Sequence, residues 1–325
     1  MSLVKFTGTD NLRVRLVLSV LSGKPVRIDG IRSEDKDPGL RDYEVSMLRF
    51  LEKITNGTVI EISLTGTSVL LKPGIISGGS PMEVTLRGIT SDDHDLSVDL
   101  IRTVSLPHLQ LIGMSEGLEI PSFGGGEVEF LCPIIKQAKT LNFVAPGKIK
   151  RIRGISHAVR VSPQFSHRMI EASRSLLNRF IPDIYLYADV YKGEESGKSP
   201  GYALSLLAES TTSAIHCSEA ISRPGVTPEE VALEATKALL TEIRRGGCID
   251  RKHQGMVLIL MLLGSEDVGR CRMGSSAHGR PIQVLRDIRD VFGTSFKIAP
   301  ADAESKEVLL SCYGTGYVNS NRPVA

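Results

Sequence analysis

The sequence has few cysteines, no long apolar run and almost no charge imbalance, and each shortage excludes something. Five cysteines, Cys132, Cys217, Cys248, Cys271 and Cys312, are an odd number with no CxxC pair. That argues against a disulfide framework or a locally spaced zinc motif, and fits a reducing compartment. No window approaches the roughly 18 uninterrupted apolar residues of a membrane span. The best run, "MVLILMLLG" at 256–264, is short enough to read as a buried helix. The opening "MSLVKFTGTD" lacks the apolar stretch expected of a signal peptide. The formal net charge is only +2, so any nucleic-acid surface must come from local clustering. No GxxxxGK occurs, which removes the P-loop, and the acidic run "SDDHD" at 91–95 has the wrong spacing for a calcium loop.

What is present is an ordinary globular composition, 41% hydrophobic and 23% charged over 325 residues, enough for a large domain and a smaller one. The pattern is mixed α/β (α+β). A helix is expected over 10–22 with Asp10 or Thr9 as cap, then a strand at "VRIDGI". A second helix over about 41–54 carries Met47, Leu48, Leu51 and Ile54 as its apolar stripe. "TNG" at 55–57 reads as a turn, and "VIEISL" alternates with Ile60, Ile62 and Leu64 on one face. "MEVTLRGI", a helix at "SVDLIRTVSL" and a strand at "GGGEVEFLC" repeat the grammar. Helices at about 250–263 and 282–292 and strands near "SFKIA" and "EVLLSCYG" close the chain.

Residues of about 150–246 differ in texture. Helices at "SHRMIEASRSLLNRF" and "TPEEVALEATKALLTEI" flank strands "DIYLYADVY", "YALSLLAES" and "AIHCSEAIS". Thr227, Pro228 and Glu230 spell a capping box with proline in the first turn. This block reads as a compact α/β insertion with its own core.

The ordered set "LSGKPVRIDGIR", "DPGL", "ITNGTVIEI", "PGKIKRIRG", "LAESTTSA" and "RRGGCID" with "MLLG" resembles the RNA 3'-terminal phosphate cyclase family, nearly end to end. It is most similar to the eukaryotic cyclase-like branch of ribosomal RNA processing. The resemblance implies a large domain of three repeated helix–sheet units, 1–149 plus 247–325, with a smaller domain, 150–246, inserted in the third. Relative to the family the chain is short after Gly79 and before Pro121. A lost central helix would expose apolar faces, so residues omitted from the sequence are expected rather than a true deletion.

The cyclases adenylylate a histidine with ATP, pass AMP to an RNA 3'-phosphate and close a 2',3'-cyclic phosphate. The resemblance carries little of that machinery over. The phosphate loop Glu-Gly-Gly-Gly-Gln falls on Phe6, Thr7, Gly8, Thr9 and Asp10, where only Gly8 survives. Arg13 and Arg32 are kept, but Asp35 and Glu44 replace an arginine and a histidine. Gly255 and Met256 replace an Asp-Gln pair. Short-range Coulomb repulsion makes such a pocket hostile to ATP. The nucleophile's register falls on Ala277 or Arg280, not on His278, which reads as a solvated loop histidine.

The binding candidates for RNA or an acidic partner are the retained Arg13 and Arg32 and two basic stretches: Lys148, Lys150, Arg151 and Arg153 with Arg160, and Arg280, Arg286 and Arg289. The ordinary reading of the first is a solvated connector, and of the second, internal ion pairs with Asp287 and Asp290. Val284, Leu285, Ile288 and Val291 are expected to face the core. The resemblance implies a nucleolar, nuclear ribosome-biogenesis factor without cyclase activity, acting in small-subunit (18S) pre-ribosomal RNA processing. Its implied partners are a ribosome-biogenesis GTPase, a small nucleolar ribonucleoprotein processing complex and pre-ribosomal RNA. It is expected to be a monomer with no membrane, cofactor or metal. The alternatives are an RNA endonuclease using Asp287 as a base between phosphate-clamping arginines, and a residual ATP-dependent cyclase at His278.

Overall fold

The computed structural model describes residues 2–76, 79–114, 119–120, 126–197, 199–275, 280–302 and 306–319. His278, Ala277 and most of "PSFGGG" lie outside them. The chain opens with β1 (Val4–Thr7), α1 (Leu12–Ser22), β2 (Val26–Asp29), α2 (Asp42–Lys53), β3 (Thr55–Asn56), β4 (Val59–Ile62), β5 (Val69–Lys72) and β6 (Ile75–Ile76). Next come β7 (Met82–Arg87), α3 (Val98–Leu100), a π-turn (Ile101–Ser105), α4 (Leu106–Gln110), β8 (Glu127–Cys132) and β9 (Asn142–Phe143). Then follow β10 (Ile149–Val159), α5 (Gln164–Leu177), β11 (Ile184–Tyr191), a 3-10 turn (Gly193–Ser196), β12 (Gly201–Ser210), β13 (Ile215–Ile221) and α6 (Pro228–Arg245). The last elements are α7 (Gln254–Leu263), β14 (Val268–Met273), α8 (Arg280–Phe292), β15 (Lys297–Pro300) and β16 (Val308–Tyr313). The fold is mixed α/β. No helix among the described residues is long and apolar enough to cross a membrane.

Two compact units emerge: residues 1–80 with 277–296 and 318–325, and residues 81–276 with 297–317. The first unit is built on the sheet β1-β2-β5-β4, parallel between β1 and β2 and antiparallel beyond. Its core takes Leu16 and Leu18 of α1, Val26 and Ile28 of β2, Leu71 of β5 and Ile288 of α8. Gly39 is required by crowding as well as by its φ of 91°: a Cβ there would meet the Thr65 carbonyl oxygen at 2.3 Å. The alternation of β4 does not produce a buried face. Val59 and Ile62 are largely exposed and Leu64, past the strand end, is fully so. "TNG" contributes β3, which pairs with β6, before Gly57 turns the chain.

In the second unit the sheet β11-β10-β12-β13 carries α5 and α6 on a core of Ile152, Met169, Leu177, Leu204, Leu206, Val231 and Leu239. The capping box on α6 forms as its sequence specifies: Thr227 Oγ1 accepts from the Glu230 amide, and the Glu230 carboxylate accepts from the Thr227 amide. A second sheet, β15-β16-β14-β9, is linked to β13 through single bridges at Ile249. β7 and β8 pair antiparallel as a two-stranded sheet, with Leu86 exposed.

The stretch 147–160 is more than a connector. β10 is the strand between β11 and β12, with Ile152, Gly154, Ile155 and Ala158 buried. Cations alternate with these apolar residues, which hides the strand in the sequence. Gly154 leaves room for its two cross-strand partners, since a Cβ there would sit 2.7 Å from both Leu186 and Leu206 side chains.

Candidate functional site

In the first unit, the segment that should cradle phosphate runs from β1 into α1. Gly8 adopts φ 76° and donates its amide to the Asp29 carbonyl at 2.9 Å. The helix cap is neither Thr9 nor Asp10. Asn11 occupies it in the left-handed region, φ 54°, a conformation Asn tolerates. Its side chain makes no cap bond; Nδ2 donates instead to Asp287 Oδ2 at 3.3 Å.

Asp287 is the hub of this unit. It is 0% exposed. Oδ1 accepts from Arg15 Nε at 3.3 Å and from Gln283 Nε2 at 3.0 Å. Arg15, also buried, gives Nη1 to the carbonyls of Thr7 and Gly8 at 3.2 and 3.3 Å and lies over the Phe6 ring. The arginine on α1 that binds inward is therefore Arg15, not the exposed Arg13. A signal existed: Leu12, Arg15, Leu16 and Ser19 share one helical face, so Arg15 falls on the buried stripe. On α8 the buried stripe is Val284, Asp287, Ile288 and Val291, while Leu285 is only half-buried.

Arg32 meets Glu44 across the turn that precedes α2. The two form a bidentate pair at 2.7 and 2.8 Å, and Arg32 also donates to the Gly39 carbonyl at 3.0 Å. Glu44 is at the same time the capping-box acid of α2, accepting the Arg41 amide at 2.8 Å. Burial pushes the Glu44 carboxyl up, but the hydrogen bonds from Arg32 and Arg41 and the charges of Arg32 and Arg13 outweigh it and hold it below the usual range. The Arg32 guanidinium is raised by the same bond. Arg32 thus binds a carboxylate of the protein itself, and the charge of Arg13 adds to the field on it.

The cations of β10 have internal partners too. Lys150 and Arg151 both reach Glu209 on β12, at 2.9 and 2.7 Å, and Arg153 holds Asp183 through two bonds of 2.8 and 3.2 Å. Lys148, before the strand, is exposed. Arg160 donates to Ser196 Oγ at 3.1 Å. A shallow cavity of about 100 Å³ opens on this sheet beside Arg153, lined by Leu100, Tyr185, Tyr187 and Leu207. The two tyrosines, 6.3 Å apart and exposed, could stack a base. On α8, Arg280 and Arg286 are exposed and form no ion pair among the described residues. Arg289 contacts its neighbour Asp290 at 3.4 Å.

The family models for the RNA 3'-terminal phosphate cyclase and for its insert domain match residues 4–81 and 144–244. The chain belongs to the RNA 3'-terminal phosphate cyclase family. It is 42% identical over 364 residues to the human RNA 3'-terminal phosphate cyclase-like protein, covering 98% of this chain and 97% of the relative. It is 40% identical over 359 residues to an rRNA processing protein of Schizosaccharomyces pombe, covering 99% and 98%. A further rRNA processing protein, from Saccharomyces cerevisiae, is 35% identical over 357 residues, covering 98% and 97%. These alignments are longer than the 325-residue chain, so the relatives carry segments that it lacks. The matched region 4–81 holds the loop at Gly8, Arg32 and Glu44.

Proposed function

We propose that this protein is a non-cyclising member of its family that serves ribosome biogenesis as a binding scaffold. It acts in small-subunit (18S) pre-ribosomal RNA processing in the nucleolus. Its partners are a ribosome-biogenesis GTPase, pre-ribosomal RNA and the small nucleolar ribonucleoprotein processing complex. The rRNA processing relatives support the process. The observation that carries the loss of cyclase chemistry is the Arg32–Glu44 pair. An arginine suited to phosphate already holds a carboxylate in two bonds, so an incoming phosphate must displace a neutralising partner. The domain division that goes with this reading is 1–149 plus 247–325, with 150–246 inserted.

Arg280, Arg286 and Arg289 form the docking edge for an acidic segment of the partner. Asp287 is structural in this reading. An endonuclease base needs access to substrate or water, and this carboxylate is buried under Arg15, Asn11 and Gln283. Labelled ATP tests the first half: no covalent AMP should form, and AMP lost on His278→Ala would overturn it. Partner capture under RNase treatment tests the second. Arg286→Glu with Arg289→Glu should weaken capture without shifting the melting temperature, and unchanged capture removes this surface.

A further inference from the structure

Within residues 81–276, a second set of chemistry-bearing side chains converges from separate segments. Ser105 ends the π-turn, His108 lies on α4, Cys217 on β13, and Asp250 and His253 precede α7. All five are buried, none more than 6% exposed. His253 Nδ1 lies 2.8 Å from Asp250 Oδ2 and 3.9 Å from Cys217 Sγ, and its Nε2 lies 2.8 Å from Ser105 Oγ. One ligand atom from each of Cys217, Asp250 and His253 falls within 4.8 Å of the other two. His108 packs ring to ring on His253, centroids 5.1 Å apart. The Val104 carbonyl can serve only one of its two ring nitrogens, and the other is buried without a partner.

A buried polar atom without a partner costs about 1–3 kcal/mol. Such a ring is unusual unless something binds it. The geometry has room for one answer. Tetrahedral zinc takes nitrogen at about 2.0–2.1 Å and sulfur at about 2.3 Å, which places two bound imidazole centroids about 5 Å apart and a nitrogen and a sulfur about 3.5 Å apart. Cys217, Asp250 and His253 lie close enough to share one ion once the Asp250 oxygen opens by about half an ångström from His253 Nδ1, and His108, packed on His253, completes the set by turning a nitrogen toward it. The sulfur needs a shift of a few tenths of an ångström.

We propose that Cys217, Asp250, His253 and His108 form a structural site for one zinc ion. The donor set of one thiolate, one carboxylate and two neutral imidazoles suits zinc over harder cations. Its two negative charges cancel the ion's two positive ones, so the loaded site adds no net charge to the interior. Ser105 supplies the outer contact. With Nδ1 on the metal, the proton sits on Nε2 and is donated to Ser105 Oγ, which fixes the ring. Binding releases the Cys217 thiol proton to solvent. Four protein ligands leave no open position, so the ion ties the π-turn and α4 to β13 and the start of α7. Local spacing argued against zinc in this sequence because these donors come from three separate stretches of chain.

The full chain, stripped with chelator and reloaded with cobalt, should take up one equivalent and show a thiolate-to-cobalt charge-transfer band. Cys217→Ser should lose that band and Cys132→Ser should keep it. Ser105→Ala should weaken zinc binding by roughly 10–100-fold. Zinc should raise, and chelator lower, the wild-type melting temperature. A wild-type chain that gives no charge-transfer band, or whose melting is indifferent to zinc and chelator, overturns the site and leaves a hydrogen-bonded network. So does a band that persists in Cys217→Ser. Should Cys217→Ser fail to fold, the wild-type band and melting shifts still decide.

Discussion

Removing the carboxylate of Asp287 should be among the most damaging single changes in the first unit. The Arg15 side chain is 5% exposed and Asp287 is not exposed at all. Asp287→Ala leaves a buried guanidinium without its anion, a loss of about 3–5 kcal/mol where such pairs are broken. Asp287→Asn keeps the shape and some hydrogen bonding, so the cost falls to about 1.5–3 kcal/mol, the range for bonds to charged groups. The double change Arg15→Met with Asp287→Leu removes both charges. It should recover at least half of the Asp287→Ala loss; the remainder reflects the Thr7 and Gly8 carbonyls that Arg15 no longer serves. In urea, with a slope of about 2 kcal/mol/M, Asp287→Ala should lower the midpoint by about 2 M without changing the slope. A drop smaller than about 0.5 M, or a double variant as unstable as the sum of its singles, would refute a buried, mutually dependent pair.

Glu44 sets a pH dependence. Its folded carboxyl titrates below the usual glutamate range. Its contribution is therefore complete above the ordinary glutamate pKa and is lost as pH falls through the lowered folded value. The stability gap between wild type and Glu44→Gln should close on acidification in that window; a gap independent of pH contradicts the Arg32 pairing. Gly154→Ala places a methyl group against Leu186, Leu206 and the Ser205 carbonyl. It should cost about 1–3 kcal/mol by overpacking, read as a lower melting temperature. Thr227→Ala should cost about 1 kcal/mol through loss of the α6 cap, and a change within error would show that packing alone holds that helix end.

Legibility in the sequence followed the range of the interactions. The α6 cap was readable because Thr227 and Glu230 lie three residues apart and satisfy each other locally. β10 was obscured because its cations are neutralised from Glu209 and Asp183, dozens of residues away. Asp287 looked like a surface acid among arginines because its partner Arg15 is 272 positions distant. The family pattern located Arg32 and Glu44, but only the folded geometry shows them bound to each other. The histidine cluster left no trace, since Ser105, His108, Cys217, Asp250 and His253 are each unexceptional in their own neighbourhoods.

The π-turn at Ile101–Ser105 has a consequence for how this chain can change over time. A regular helix turns by about 100° per residue and a π-helix by less, so the five residues of the widened turn sweep about the angle that four would sweep in a regular helix, and one extra residue is absorbed with Ser105 and His108 kept in phase. A further residue inserted between 101 and 104 has no such slack and would swing both side chains by about 100° to another face. Exchanging those residues for others of similar size would not. The stretch should therefore be permissive of substitution and strict about added length, and an insertion there would mark a lineage that has given the cluster up.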